Sequence, residues 1–558
     1  MKPKTLFSLG GIVVLSASLS LFFESRQQMQ AGTTGLGQNN CPLGQNCQPP
    51  PPPPPGVGQL GGPLAGLTTG QTSLFTTGYD TFNVKWDPIR GLGPVFTQAG
   101  CYNCHGGGNN VITQCKFNPP GVACVDGGSS NILGTRYGKW NSDGTFNYLD
   151  GTGTFPENEG GPVLHGQSVA QFVTIAGCSN MTIAASPTGI TQSGTTVTVT
   201  TTANHGFLAG QISTVAGVPV NGYNGNFTIL SVPSATSFTY TDSTSGLAGS
   251  GGGTANNLPH EVVPADATVV GTLRSPELYG LGLVDSIPDS TIQANATAEC
   301  ANKGSTGICG VANMVPDQNG NIHVGRFGQK STFPTLLSFT AAAFNNETGI
   351  TNAYFPVQHL PSGLPYPPKC APDTHNPEDS TGSFMLQAHQ FNELLAPVVP
   401  GPPNSAGKTV FENTGCNICH TESMTTGANI KLQTNLNGGV STVIAPLSNA
   451  TANLYSDLLL HDMGPGLSGG IPFQPDQQGQ ASLTQWRTAP LWGLSTRCGT
   501  VGSNGACSLL LGLLHDNRTT NLNTAILDHG GEAASVITAY QKLNSTDNAN
   551  LLAFLSSL

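Results

Sequence analysis

Three rhythms of hydrophobic and polar positions divide the 558-residue chain. Between Met181 and Gly253 the period is two: Thr and Val alternate from Thr195 to Thr200, and shorter runs follow at Phe227–Leu230 and Ser237–Thr241, separated by Gly and Asn turns. Alternation bounded by turn residues predicts a small antiparallel β module that ends in the flexible stretch Ser250–Gly253. Toward the C-terminus the period becomes helical. Ser405 caps a short helix running into Cys416, a second helix is expected over Glu532–Gln541, and a third opens at Thr546 and Asp547, with Leu551, Leu552, Leu555 and Leu558 on one face. At the N-terminus an unbroken apolar run, Leu6–Phe23, follows Lys2 and Lys4 in the layout of a secretory signal. The run also reaches the lower limit of a membrane span, and no A-x-A site follows it, so a cleaved leader and a retained anchor both stay open.

Proline sets the boundaries. Pro49–Pro55, seven in a row, forms a stiff polyproline II spacer. The run Pro397–Pro403 separates two later segments. The expected organisation is a signal or anchor over 1–30, a Gln/Gly/Pro-rich linker over 31–60, a first folded region over 61–180 and 254–396, the β insertion over 181–253 and a second folded region over 397–558.

Charged residues are only 9% of the chain, whereas Gly (73) and Pro (41) are in excess, a balance that favours long ordered loops over a helical bundle or coiled coil. The net charge of -11 arises from 30 acidic and only 19 basic residues, too little cationic density for nucleic-acid binding. Fourteen cysteines point to an oxidising compartment, periplasmic or extracellular, or to a cofactor. Four of them fall in two identical words, Cys101-Tyr102-Asn103-Cys104-His105 and Cys416-Asn417-Ile418-Cys419-His420. In C-x-x-C-H the two thiols reach the two vinyl groups of one haem, and the next residue offers an imidazole to the iron. A shared zinc site fits poorly because the two pairs are far apart in sequence, and a thioredoxin-like pair lacks its βαβ setting. Among the other cysteines, Cys115/Cys124, Cys300/Cys309 and Cys498/Cys507 have the spacing of local disulfides. Cys41/Cys47 suits a further local loop, and Cys178 and Cys370 remain for a long-range bridge.

With these words in place the chain resembles the di-haem oxidoreductases of the peroxidase type, relatives of bacterial di-haem cytochrome c peroxidase and of the di-haem enzyme of methylamine utilisation. The matching words are Gly91–Phe96, Asn158–Pro162, Tyr279–Leu283 and Val324–Gly328, then Tyr455–Gly464, Arg487–Leu494 and His529–Ala533. The resemblance implies a mainly α chain with long loops: two cytochrome c-like haem domains, one on each side of the break at 397, plus the small all-β insertion. The insertion itself, through His205–Phe207 and Tyr223–Thr228, is similar to a short β-rich module of bacterial and phage surface proteins.

The same resemblance assigns roles. Cys101, Cys104 and His105 would carry the first haem c, and Cys416, Cys419 and His420 the second. His529, fourteen residues after His515, would be the second axial ligand opposite His420, with Met463 as runner-up. Glu347 would be the proton carrier above the first haem, because splitting an O–O bond requires a proton at the leaving oxygen. His165 is a weaker candidate for a displaceable ligand there. Two departures stand out: Gln329 occupies the position where relatives carry a bridging Trp, and Leu510 and Gly512 replace the residues around a calcium ion, which leaves calcium open. The expected function is an exported di-haem peroxidase, with hydrogen peroxide as oxidant and a small protein as electron donor. It would contact a membrane only through the possible N-terminal anchor. The rivals are an electron-transfer cytochrome without catalysis and a surface-binding protein that works through the β insertion.

Overall fold

Thr68 opens the first described helix, Thr69–Phe82, with a capping box: its hydroxyl accepts from Gln71 N–H, and the Gln71 side chain accepts from Thr68 N–H. The buried face of this helix carries Phe75, Tyr79 and Phe82, which surround Phe391 of the helix Ser383–Leu394 with ring centroids 4.9–5.9 Å apart. Gly78 permits the approach, since a Cβ there would lie 2.2 Å from the Gln387 carbonyl oxygen. A third helix, Leu336–Thr348, begins at the cap Thr335 and stops at Gly349 in the left-handed conformation, φ 67°. These helices, with Trp86, Tyr279, Phe333 and Phe344, share the largest apolar core. A second core joins the helices Ser405–Thr414 and Ser545–Ser557, where Tyr455 meets Phe411 and Phe554 edge to face.

The computed structural model describes residues 53–558 except 88–89, 94, 106–132, 141, 144–145, 148–163, 169–180, 211, 257–267, 359–378, 380–381, 400, 403, 470–480, 502–506 and 510–511. The expected signal or anchor, most of the linker, the word Asn158–Pro162, and Cys41, Cys47, Cys115, Cys124, Cys178 and Cys370 lie outside the described residues. Among the described residues, no helix is long and apolar enough to cross a membrane.

The alternating segment folds into a curled antiparallel sheet of seven strands. In spatial order these are Met181–Thr182, Thr254–Asn256, Ile212–Ala216, Gly225–Ser234, Ser237–Thr241, Thr196–Thr200 and Ile190–Ser193. Val197 and Val199 point inward and the intervening threonines outward, as the period of two requires. They pack with Phe207, Tyr223, Phe238 and Tyr240 into a core separate from the helical ones.

The expectation of a mainly α chain with two cytochrome c-like domains is overturned. Helices account for 32% of the structure, and the seven-stranded sheet is its largest regular element. Among the described residues the longest helix is Thr69–Phe82, at 14 residues. The cause lies in composition: frequent Gly and Pro interrupt helices, and with 9% charged residues the chain lacks the Glu, Lys and Arg that extend exposed helical faces. Two- and three-residue strand pairs and irregular loops take their place, such as Leu460–Asp462 against Gln485–Arg487.

Cys300 and Cys309 stand at disulfide distance, with Cα atoms 4.3 Å apart. Cys498 is also disulfide-bonded.

Phe391 is fully buried where three aromatic rings converge. Phe391→Ala is expected to cost ~3–5 kcal/mol of stability, read from the urea midpoint; a loss below ~1 kcal/mol would mean that the two helices are held together elsewhere.

Candidate functional site

The word Cys101–His105 sits at one helical turn, Tyr102–His105, and its two cysteines and histidine line a cavity. Thr97 and Gln98, just upstream, donate their N–H groups to the Glu347 carbonyl oxygen (2.8 and 3.2 Å), which ties the end of the helix Leu336–Thr348 to the cysteine turn. The Glu347 side chain lines the same cavity. Burial pushes the Cys101 thiol up to about 12, with the Glu347 carboxylate adding to the shift, and Cys104 is raised by the same causes. Both remain thiols at neutral pH. His165 does not line this cavity; its Nε2 lies 2.9 Å from the Asn346 carbonyl oxygen, a buried structural contact beside Glu347.

The second word follows the helix Ser405–Thr414, which Gly415 ends in the left-handed conformation before the turn Cys416–Ile418. Cys416, Cys419, His420, Met463 and His529 all line a second cavity. His420 Nδ1 donates to the Tyr455 carbonyl oxygen (3.0 Å), and His529 Nδ1 donates to the Ala525 carbonyl oxygen (2.7 Å). A carbonyl only accepts, so each contact fixes the proton on Nδ1 and leaves the Nε2 lone pair for a metal. Burial, with His529 nearby, lowers His420 to about 4, and burial lowers His529 as well. Both imidazoles are therefore neutral at pH 7, the state an iron ligand requires.

This donor chemistry fits a haem in each cavity. Among the described residues the free cysteines are these four thiols, each pair followed by its imidazole on a cavity wall. The two sites differ in their remaining groups: the first has the carboxylate of Glu347, whereas the second has three further imidazoles, His461, His515 and His529, with the Met463 thioether and the Glu532 carboxylate.

Sequence reasoning missed a buried charge cluster against the second site. His461 Nε2 lies 3.0 Å from Asp457 Oδ2 and 3.7 Å from Glu299 Oε2, its Nδ1 lies 2.8 Å from Glu532 Oε2, and Cys419 Sγ is 3.8 Å away. Burial opposes charge on His461, but its hydrogen bonds to Asp457, Cys419 and Glu532 raise it and hold it as an imidazolium. Burial and the neighbouring Asp457 push Glu299 up to about 8, so it keeps its proton at pH 7. Gly310 makes room, since a Cβ there would lie 2.7 Å from His461 Cε1. The sequence carried one signal, Asp457 and His461 four residues apart in the word Tyr455–Gly464; Glu299 and Glu532 come from distant segments.

Replacing His461 would leave the buried Asp457 and the half-buried Glu532 without their cation. His461→Leu is expected to cost ~3–5 kcal/mol, read by urea unfolding, and adding Asp457→Asn should recover part of it. A single variant as stable as the wild type would contradict the charge assignment.

No curated protein and no solved structure matches the chain. Residues 253–558 match the family described as "Di-haem oxidoreductase, putative peroxidase", a stretch that begins at the last strand of the sheet, Thr254–Asn256, and contains the second C-x-x-C-H and the whole buried cluster. The match spans more than half of the sequence, and the chain belongs to the di-haem oxidoreductase family.

Proposed function

We propose that the protein is an exported di-haem c-type peroxidase. It reduces hydrogen peroxide to two waters, consuming two electrons from a small donor protein and two protons, and the electrons pass from the C-terminal to the N-terminal site. The observation that carries this reading is the asymmetry of the two cavities: the Glu347 carboxylate and the His105 imidazole face the first, whereas four imidazoles, His420, His461, His515 and His529, face the second, where the Glu532 carboxylate is held by His461. Export is supported by the Lys-flanked apolar run Leu6–Phe23 and by the cysteine content.

Bound haem would supply one-electron storage at each site and, at the first, the redox chemistry that cleaves the O–O bond. Cys101, Cys104 and His105 would hold one haem, and Cys416, Cys419, His420 and His529 the other. The protein's own contribution at the first site is proton transfer. The Glu347 carboxylate accepts a proton from the near oxygen of peroxide and returns it to the far one, a step typically worth ~10²–10⁴-fold in rate. At the second site the two carbonyl-anchored imidazoles keep small ligands out, and that site stores an electron without reacting.

Two variants test the division of labour. Glu347→Gln should keep haem content and both reduced spectra while peroxide turnover falls ~10²–10⁴-fold; unchanged turnover would remove Glu347 from the mechanism and favour an electron-transfer cytochrome. His529→Ala should create a high-spin signal in the C-terminal haem. If Met463→Ala produces that signal instead, Met463 rather than His529 would hold the C-terminal haem with His420.

A further inference from the structure

Two residues, Arg274 and Gln329, line both cavities. The backbone N–H of Arg274 donates to the His515 carbonyl oxygen (2.8 Å), and Gln329 Nε2 donates to the Arg274 carbonyl oxygen (3.1 Å). Arg487 N–H donates to the Gln329 carbonyl oxygen (3.0 Å), and its Nε to that of Gly328 (3.0 Å). The shared wall is thus fixed on both sides by main-chain hydrogen bonds.

On the side of the second cavity the wall is short of negative charge. Arg274, Arg487 and Arg497 all face the second cavity, and Arg274 and Arg136 face the first. Arg274 and Arg497 both pair with Glu277, so one carboxylate serves two guanidiniums. Glu532, the carboxylate lining the second cavity, is engaged by His461. Arg274 is 8% exposed and Arg497 7%, and among the described residues Nε of each is buried without an acceptor. Such orphaned N–H donors are costly unless a partner arrives. Burial lowers Arg274 and Arg487 to about 10, and Arg274 repels both Arg487 and Arg497. A fork of this kind matches a carboxylate, and every haem carries two propionate carboxylates.

We infer that Arg274 is a shared propionate anchor, binding carboxylate groups of the haems in both cavities, with Arg487 and Arg497 completing the second site and Arg136 the first. The inference rests on the two-haem reading above. One guanidinium then acts on both irons. A cation beside the propionates favours the ferrous state, which carries one positive charge less than the ferric, and its removal lowers both reduction potentials together.

The test is an anaerobic redox titration of the holoprotein, with haem content measured in parallel. Arg274→Gln retains the Arg497–Glu277 ion pair. It should lower both midpoint potentials, each by on the order of tenfold in the reduction equilibrium, or about 59 mV. The propionate bending bands of both haems should shift in resonance Raman spectra. Arg497→Gln should lower the C-terminal potential alone, and Arg136→Gln the N-terminal one alone. Arg274→Lys keeps the charge and should recover most of the potential while the propionate bands stay shifted. The inference is overturned if Arg274→Gln moves one potential or neither, if the propionate bands are unchanged, or if Gln and Lys variants lose haem and stability equally, as a purely structural role would require. A wild-type holoprotein with one haem would instead refute the reading on which it rests.

Discussion

The two cavities meet at Arg274 and Gln329, and the backbone hydrogen bonds that hold this pair set the relation between the sites. Arg274 leaves the strand Val269–Arg274, which pairs with Leu133–Trp140, and is bonded to His515 from the second half of the chain. Gln329 follows the word Val324–Gly328 and receives Arg487 from a strand nearly 160 positions later. Segments remote in sequence therefore have to assemble before either cavity has its full wall. Non-local closure of this kind costs chain entropy, and the apolar clusters around Phe391 and Phe554 provide the compensating burial.

A chain with so few charges spends many of those it has in its interior. Buried arginines gather at the shared wall, and the imidazolium of His461 is surrounded by carboxylates beside Cys419. In a low-dielectric interior such groups act on a neighbouring redox centre more strongly than surface charges do. The same burial keeps His420 and His529 neutral, so one physical cause leaves both imidazoles able to bind a metal and strengthens the surrounding field.

What the sequence revealed was local. The C-x-x-C-H words depend on a spacing of a few residues, and the alternation of Val197 and Val199 with threonines identifies strands without tertiary information. Helix starts were off by a residue or so because Asn404 and Asn544, rather than Ser405 or Thr546, supply the caps. The fold class was misjudged because likeness in short words around the motifs said little about the loops between them, where Gly and Pro prevail. The His461 cluster and the shared arginines were hidden because each joins residues far apart in sequence, a relation that no periodicity records. Glu347 lines the first cavity and His529 the second.

The central claim is that one chain carries two haems of unequal coordination. The most direct measurement combines mass spectrometry of the haem-bearing peptides with electron paramagnetic resonance of the resting, fully oxidised protein. The account predicts haem on both the 101–105 and 416–420 peptides, with one high-spin or ligand-exchangeable centre and one low-spin centre in equal amounts. Haem on a single peptide, or two low-spin centres indifferent to added small ligands, would contradict it.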